Sequence, residues 1–169
     1  TTKPFLIAPN VAETDLANPQ AVIDSLKPSV AALLGDAPIV PISAKIESEL
    51  SELEPDEQQA YLAELGVTDS GLARLVRTAF TRLGLDTYFT AGPQEVRAWT
   101  IHHGDTAPRA AGVIHGDFER GFIAAETVGY QDFITTGGLS EAKAQGKMHT
   151  EGKTYVVRDG DVMLFRFNV

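Results

Sequence analysis

The stretch that most constrains the fold spans residues 95–122, EVRAWTIHHGDTAPRAAGVIHGDFERGF, because its apolar spacing changes period within a short distance. Over residues 96–101 the side chains alternate, with Val96 and Ala98 on one face and Arg97 and Trp99 on the other, the period of a half-buried strand. A polar turn follows at 102–106, and small residues over 107–114 suit a short helix. An apolar run then opens at Phe118 and is expected to continue as a strand to Val128. This order predicts a small mixed sheet with one helix packed on it, with a core to make on one face of the first strand and charge and an indole on the other.

Upstream, residues 5–9 and 39–42 are two short apolar runs separated by a helical pattern over 19–34. Parallel strands need a crossover of a dozen or more residues, and the spacing between Asn10 and Ile39 allows a right-handed one. Residues 46–65 read as an acidic helix interrupted at Pro55 and stopped by Gly66. Asp69 or Ser70 caps a basic amphipathic helix with Leu72, Leu75, Val76 and Phe80 on one stripe. Downstream, residues 130–135 and 140–145 suit short helical pieces. Gly152-Lys153 between residues 148–151 and 154–157 is a hairpin signal, and a last strand runs over 162–169. The two halves also differ in charge: residues 1–85 hold six Lys and Arg against twelve Asp and Glu, and residues 86–169 hold eight against eleven. A boundary is expected near residues 87–93, where a Gly-Pro pair precedes the new strand.

A net charge of −9 argues against coating nucleic acid by bulk electrostatics, and no DNA partner is expected. Without cysteine there is neither a disulfide scaffold nor a thiolate zinc site. No apolar run approaches the roughly 20 residues of a membrane span, so no membrane partner is expected and the chain is read as soluble and cytoplasmic. Phosphate-loop, HExxH and Gly-x-Ser-x-Gly patterns are all missing, so no catalytic residue and no metal ligand is assigned. His102, His103 and Asp105 read as an exposed loop, and His115 as a residue satisfying a backbone group at a helix end.

Two loops stand out. Asn10, Val11 and Glu13 follow the first apolar run, and Ser43, Ala44 and Lys45 follow the second. Both lie at the carboxyl edge of the expected parallel unit, where open α/β sheets bind ligands. Taken singly, Asn10 is a turn residue and Ser43 a helix N-cap with Glu47 nearby. In the second half, Arg97, Trp99 and Arg166 are a candidate face for stacking and neutralising RNA, unless Trp99 is packed against the N-terminal half.

Longer stretches carry a resemblance. Lys3-Pro4 through Asn10-Val11-Ala12-Glu13, Pro41-Ile42-Ser43-Ala44-Lys45, the TYFTAG of 87–92 and the EVRAWT of 95–100 resemble the C-terminal part of YchF, the Obg-like ATPase family. The AGVIHGDF of 111–118, the ERGFIAAE of 119–126 and the DGDVMLFRFNV of 159–169 continue it to the last residue. The resemblance implies an α/β fold in which residues 1–85 close a P-loop nucleotide-binding domain and residues 86–169 form an α+β, β-grasp (TGS) domain. It implies that the family's phosphate loop, magnesium-binding and switch segments and coiled-coil arm precede the equivalent of Thr1; a first residue other than Met suits a fragment. By the same resemblance, Asn10, Val11, Glu13, Ser43, Ala44 and Lys45 would contact the base of ATP, and the TGS domain would contact the ribosome or RNA. Ordinary GTPases have Asn-Lys-x-Asp in the first loop; Val11 and Glu13 here favour adenine over guanine. The parent would hydrolyse ATP with magnesium and potassium ions, whereas this chain alone is expected to be inactive. The alternative is a stand-alone RNA- or protein-binding module with no nucleotide role.

Overall fold

A computed structural model describes residues 3–92 and 95–168, and it divides into two compact units, Thr1–Leu83 and Gly84–Val169. Pro93 of the Gly-Pro pair and Val169 of the last strand lie outside the described residues. None of the described helices is long and apolar enough to cross a membrane. The α/β followed by α+β class expected from the sequence is the one observed.

In the first unit the two apolar runs lie side by side in parallel, bridged at Ile7 with Ile39 and at Asn10 with Ile42. Between them come α1 (Glu13–Leu16) and α2 (Pro19–Leu34). Asn18 caps α2 by accepting from the Ala21 N–H, with Pro19 at the first helical position, where its missing donor costs nothing. Then follow α3 (Ala44–Leu50), α4 (Pro55–Glu64) and α5 (Gly71–Leu83). Leu16, Ile46 and Leu50 form the buried centre, with Val11, Tyr61, Leu62 and Leu65 against them. Ser70 rather than Asp69 caps α5, its Oγ accepting from Ala73 N–H at 3.0 Å, while Asp69 pairs with Arg77. The apolar stripe expected along α5 is split: Leu75 and Phe80 are partly buried, but Leu72 and Val76 are exposed.

The second unit is a five-stranded sheet in the order β2-β1-β5-β3-β4. β1 (Leu85–Ala91) and β2 (Val96–His102) form an antiparallel pair in which Tyr88 faces Trp99. Residues 87–91, near which the boundary was expected, belong to a strand, and the run of Thr87, Tyr88, Phe89 and Thr90 has the β-branched and aromatic character that strands favour. The small residues 107–114 form α6 (Ala107–Ile114), whose Ala107, Ala110 and Ala111 are fully buried and let the helix approach the sheet closely.

Three expectations are corrected beyond that point. Phe118 lies in α7 (Gly116–Arg120) and not in a strand, because His115 accepts from the Asp117 N–H and starts a helical turn; β3 (Phe122–Gly129) begins later. After α8 (Tyr130–Thr136) and α9 (Leu139–Ala144), β4 (His149–Glu151) pairs with β3 and not with residues 154–157. The local turn signal lost to a long-range pairing, since Tyr155 and Val157 bond instead to Ala107 and Asp105. β5 (Asp161–Phe167) then runs parallel to β1 and antiparallel to β3. Lastly, the faces of β2 are reversed: Ile101, in register with Trp99 and Arg97, points into the core, while Val96 is 73% exposed.

Gly121 closes the β3–β5 pairing at close quarters, since a Cβ there would meet the Asn168 carbonyl oxygen. Backbone cannot swing aside as a flexible side chain can. Gly121→Ala is expected to destabilise the unit by about 2 kcal/mol. Denaturant unfolding checks this, and an unchanged midpoint at constant slope would contradict the close approach.

Candidate functional site

The two loops of the first unit meet. Val11 N–H donates to the Ile42 carbonyl at 2.8 Å, and the Asn10 side-chain Oδ1 accepts from the Ala44 N–H at 3.0 Å. Ser43 occupies the N-cap position of α3 but makes no capping bond; Asn10, reaching across from the other loop, satisfies that helix's first amide. Glu47 does not sit idle at the helix start either, for it accepts from the Gly71 N–H at 2.7 Å. The bond from Ala44 fixes the amide orientation of Asn10: with Oδ1 engaged, Nδ2 and its two hydrogens are left for another acceptor.

Lys45 Nζ lies 3.2 Å from Glu13 Oε2 and 3.7 Å from Glu49 Oε1. The hydrogen bond with Glu13, followed by the charges of Glu49 and Glu13, holds the Lys45 ammonium above its ordinary pKa. Both side chains are well exposed, so the pair positions the loops more than it stabilises them. Asn10, Val11, Glu13, Ser43 and Lys45 line a cavity of about 450 Å³, and Ala44 joins through its amide. All six residues singled out in the sequence are thus brought together. The Glu13–Lys45 pair was beyond the sequence, because nothing in two separate loops announces which side chains cross between them.

In the second unit the three residues expected to share a face do not. Arg97 lies over the Trp99 ring at 4.1 Å, and Trp99 Nε1 donates to Thr90 Oγ1 at 2.9 Å, on the α6 side of the sheet. Arg166 alternates with Phe165 and Phe167, so it projects from the opposite side, where it and Lys143 hold the buried Glu126 carboxylate. Its guanidinium is occupied with neutralising that carboxylate. The sequence reading missed Phe118, which stacks on Phe167 at 3.7 Å between ring centres. Trp99, Phe118, Phe165 and Phe167 line an aromatic groove of about 640 Å³. Alternation along 163–167 was the available signal for Phe165 and Phe167; nothing local placed Phe118 beside them. His103 pairs with Asp86 at 2.9 Å, and among the described residues no three His, Asp or Glu side chains are grouped to hold a metal ion.

Known proteins resemble this chain over its whole length. Residues 85–168 match a family profile named YchF-GTPase_C, described as a protein of unknown function (DUF933). The chain is 52% identical to the "Ribosome-binding ATPase YchF" of Bacillus subtilis over 169 residues, covering all of this chain and 46% of that protein. It is 42% identical to human "Obg-like ATPase 1", covering 99% of this chain and 42% of that one. The structure of the Schizosaccharomyces pombe YchF GTPase superposes with a TM-score of 0.79 at 33% identity, over 97% of this chain and 43% of that chain. The chain therefore spans a little under half the length of the curated relatives it matches.

Proposed function

The chain belongs to the YchF family, and from that premise we propose that it supplies the base-selecting loops of a cytoplasmic, ATP-binding and ATP-hydrolysing protein that docks on the ribosome. In this reading residues 1–85 close the P-loop domain, and residues 86–169 are a TGS-type docking module. Phosphate, magnesium and potassium contacts are assigned to the rest of a longer protein.

The observation that carries the nucleotide reading is the Asn10–Ala44 bond beside the Glu13–Lys45 pair. The Asn10 Nδ2 donor suits the N7 acceptor of a purine, and Val11 offers an apolar surface to the ring. Guanine also presents N1–H and amino donors, which the shorter Asp carboxylate of ordinary GTPases meets. Here the longer Glu13 is engaged by Lys45, so guanine would leave its donors unmet at a cost of about 1–3 kcal/mol. Adenine, whose N1 is an acceptor, makes no such demand. The test is the affinity of the longer protein for ATP and GTP by calorimetry. ATP is expected to bind at least about tenfold more tightly; parity or a GTP preference overturns the reading. The 169-residue chain alone is expected to turn over no ATP above a mock preparation with magnesium and potassium present.

Ribosome docking is supported by the naming of the bacterial relatives as ribosome-binding ATPases and by the Arg97–Trp99 stack at the aromatic groove. Arg97→Glu should weaken co-sedimentation of the chain with ribosomes several-fold and reduce its dependence on salt. Unchanged binding and salt slope would remove Arg97 from the contact. A module binding RNA or protein without any nucleotide role is the second reading, favoured by the same stack; it is the one left standing if ATP affinity proves insensitive to the first-unit loops.

A further inference from the structure

A cavity used by neither reading lies at the β3–β4 end of the second unit's sheet. It encloses about 480 Å³, within the roughly 300–1,000 Å³ of small-molecule sites. Strand pairing fixes its floor: Thr127 pairs with His149, Ala125 with Glu151 and Gly129 with Asp161. Residues 125, 127 and 129 share a face, so Thr127, His149, Glu151 and Asp161 project to the same side. The connection from β4 to β5 adds Tyr155 and Arg158 as walls.

The charges here divide into those already satisfied and those left over. Asp161 accepts from the Tyr155 hydroxyl at 2.8 Å and from the Arg158 N–H at 2.9 Å. Asp159 accepts from the Thr87 N–H at 2.8 Å, and Lys147 pairs with Asp132 at 3.2 Å. The Glu151 carboxylate and the Arg158 guanidinium remain, with no charged partner among the described residues, and the His149 imidazole stands beside them. Beneath these groups Thr127, 4% exposed, closes the floor of the cavity. One free carboxylate and one imidazole are too few donors for a metal ion. Four carboxylates against Lys147 and Arg158 disfavour a phosphate.

We propose that this cavity binds a small zwitterion of the free α-amino acid class, with the ammonium on Glu151, the carboxylate on Arg158, and His149 as a further hydrogen-bond partner. Opposite unpaired charges in one small cavity are complementary to a ligand that carries both.

The test is a titration of the isotope-labelled chain with the standard L-amino acids up to about 10 mM, followed by amide NMR. N-acetyl and carboxamide forms of any binder are run alongside, each lacking one charge. Shifts confined to the neighbourhood of Thr127, His149, Glu151 and Arg158 are expected, with binding weakened about tenfold by either charge deletion. Glu151→Gln and Arg158→Gln should each weaken binding to a similar extent while the remaining spectrum stays unchanged. No shift with any amino acid, or equal binding of the charge-deleted forms to the unaltered chain, overturns the proposal.

Discussion

Tyr88→Ala is expected to destabilise the second unit by about 4 kcal/mol, since Tyr88 is among the largest fully buried side chains. Tyr88 is fully buried, stands edge-on to Phe165 with ring centres 5.7 Å apart, and donates its hydroxyl to the Ala110 carbonyl at 2.8 Å. Removing the ring opens a cavity against α6, where the small Ala107, Ala110 and Ala111 have no side chain to fill it. Tyr88→Phe separates the two contributions: it keeps the ring and should cost only about 1 kcal/mol, through the unmet carbonyl. Burial also pushes the Tyr88 phenol well above its ordinary pKa. A group whose pKa is raised on folding contributes stability below its unfolded value, and that stability is lost as pH rises past it. The unit should therefore weaken as pH climbs above about 10, less steeply in Tyr88→Phe. Denaturant melts of the three proteins across that range check both parts, and equal midpoints for Tyr88→Ala and the parent would sink the account of the core.

Asn10→Ala in the longer protein carries the largest functional effect. It removes the Nδ2 donor proposed for the base and also the acceptor that meets the Ala44 N–H, so both loops lose their link. A loss of about 1.5–3 kcal/mol corresponds to roughly ten- to a hundredfold in ATP affinity. Asn10→Asp distinguishes the roles, because it keeps an acceptor for Ala44 but offers the base no donor. If Asn10→Asp binds ATP as tightly as the parent, Asn10 only holds the loops together. If Asn10→Ala is also silent, these loops do not read the base.

What the sequence determined by itself was local. The helix over 107–114 was legible to the residue, as was α2, because small-residue runs and helical apolar spacing act within a few residues, whereas the Asn18 cap of α2 came only with the structure. The two parallel runs ending at Asn10 and Ile42 were also legible, and with them the meeting of the two loops, because a crossover of that length leaves their carboxyl ends adjacent. What only the tertiary structure decided was which partner each group takes. The turn at Gly152-Lys153 advertises a hairpin, yet β4 pairs with β3, since burying Ala125 and Thr127 in the sheet outweighs a local turn. Arg97 and Arg166 look alike in the sequence, but register sends one over a half-buried indole and the other to a buried carboxylate. Register and charge pairing join residues distant in the chain, and no periodicity records which of several similar side chains will meet.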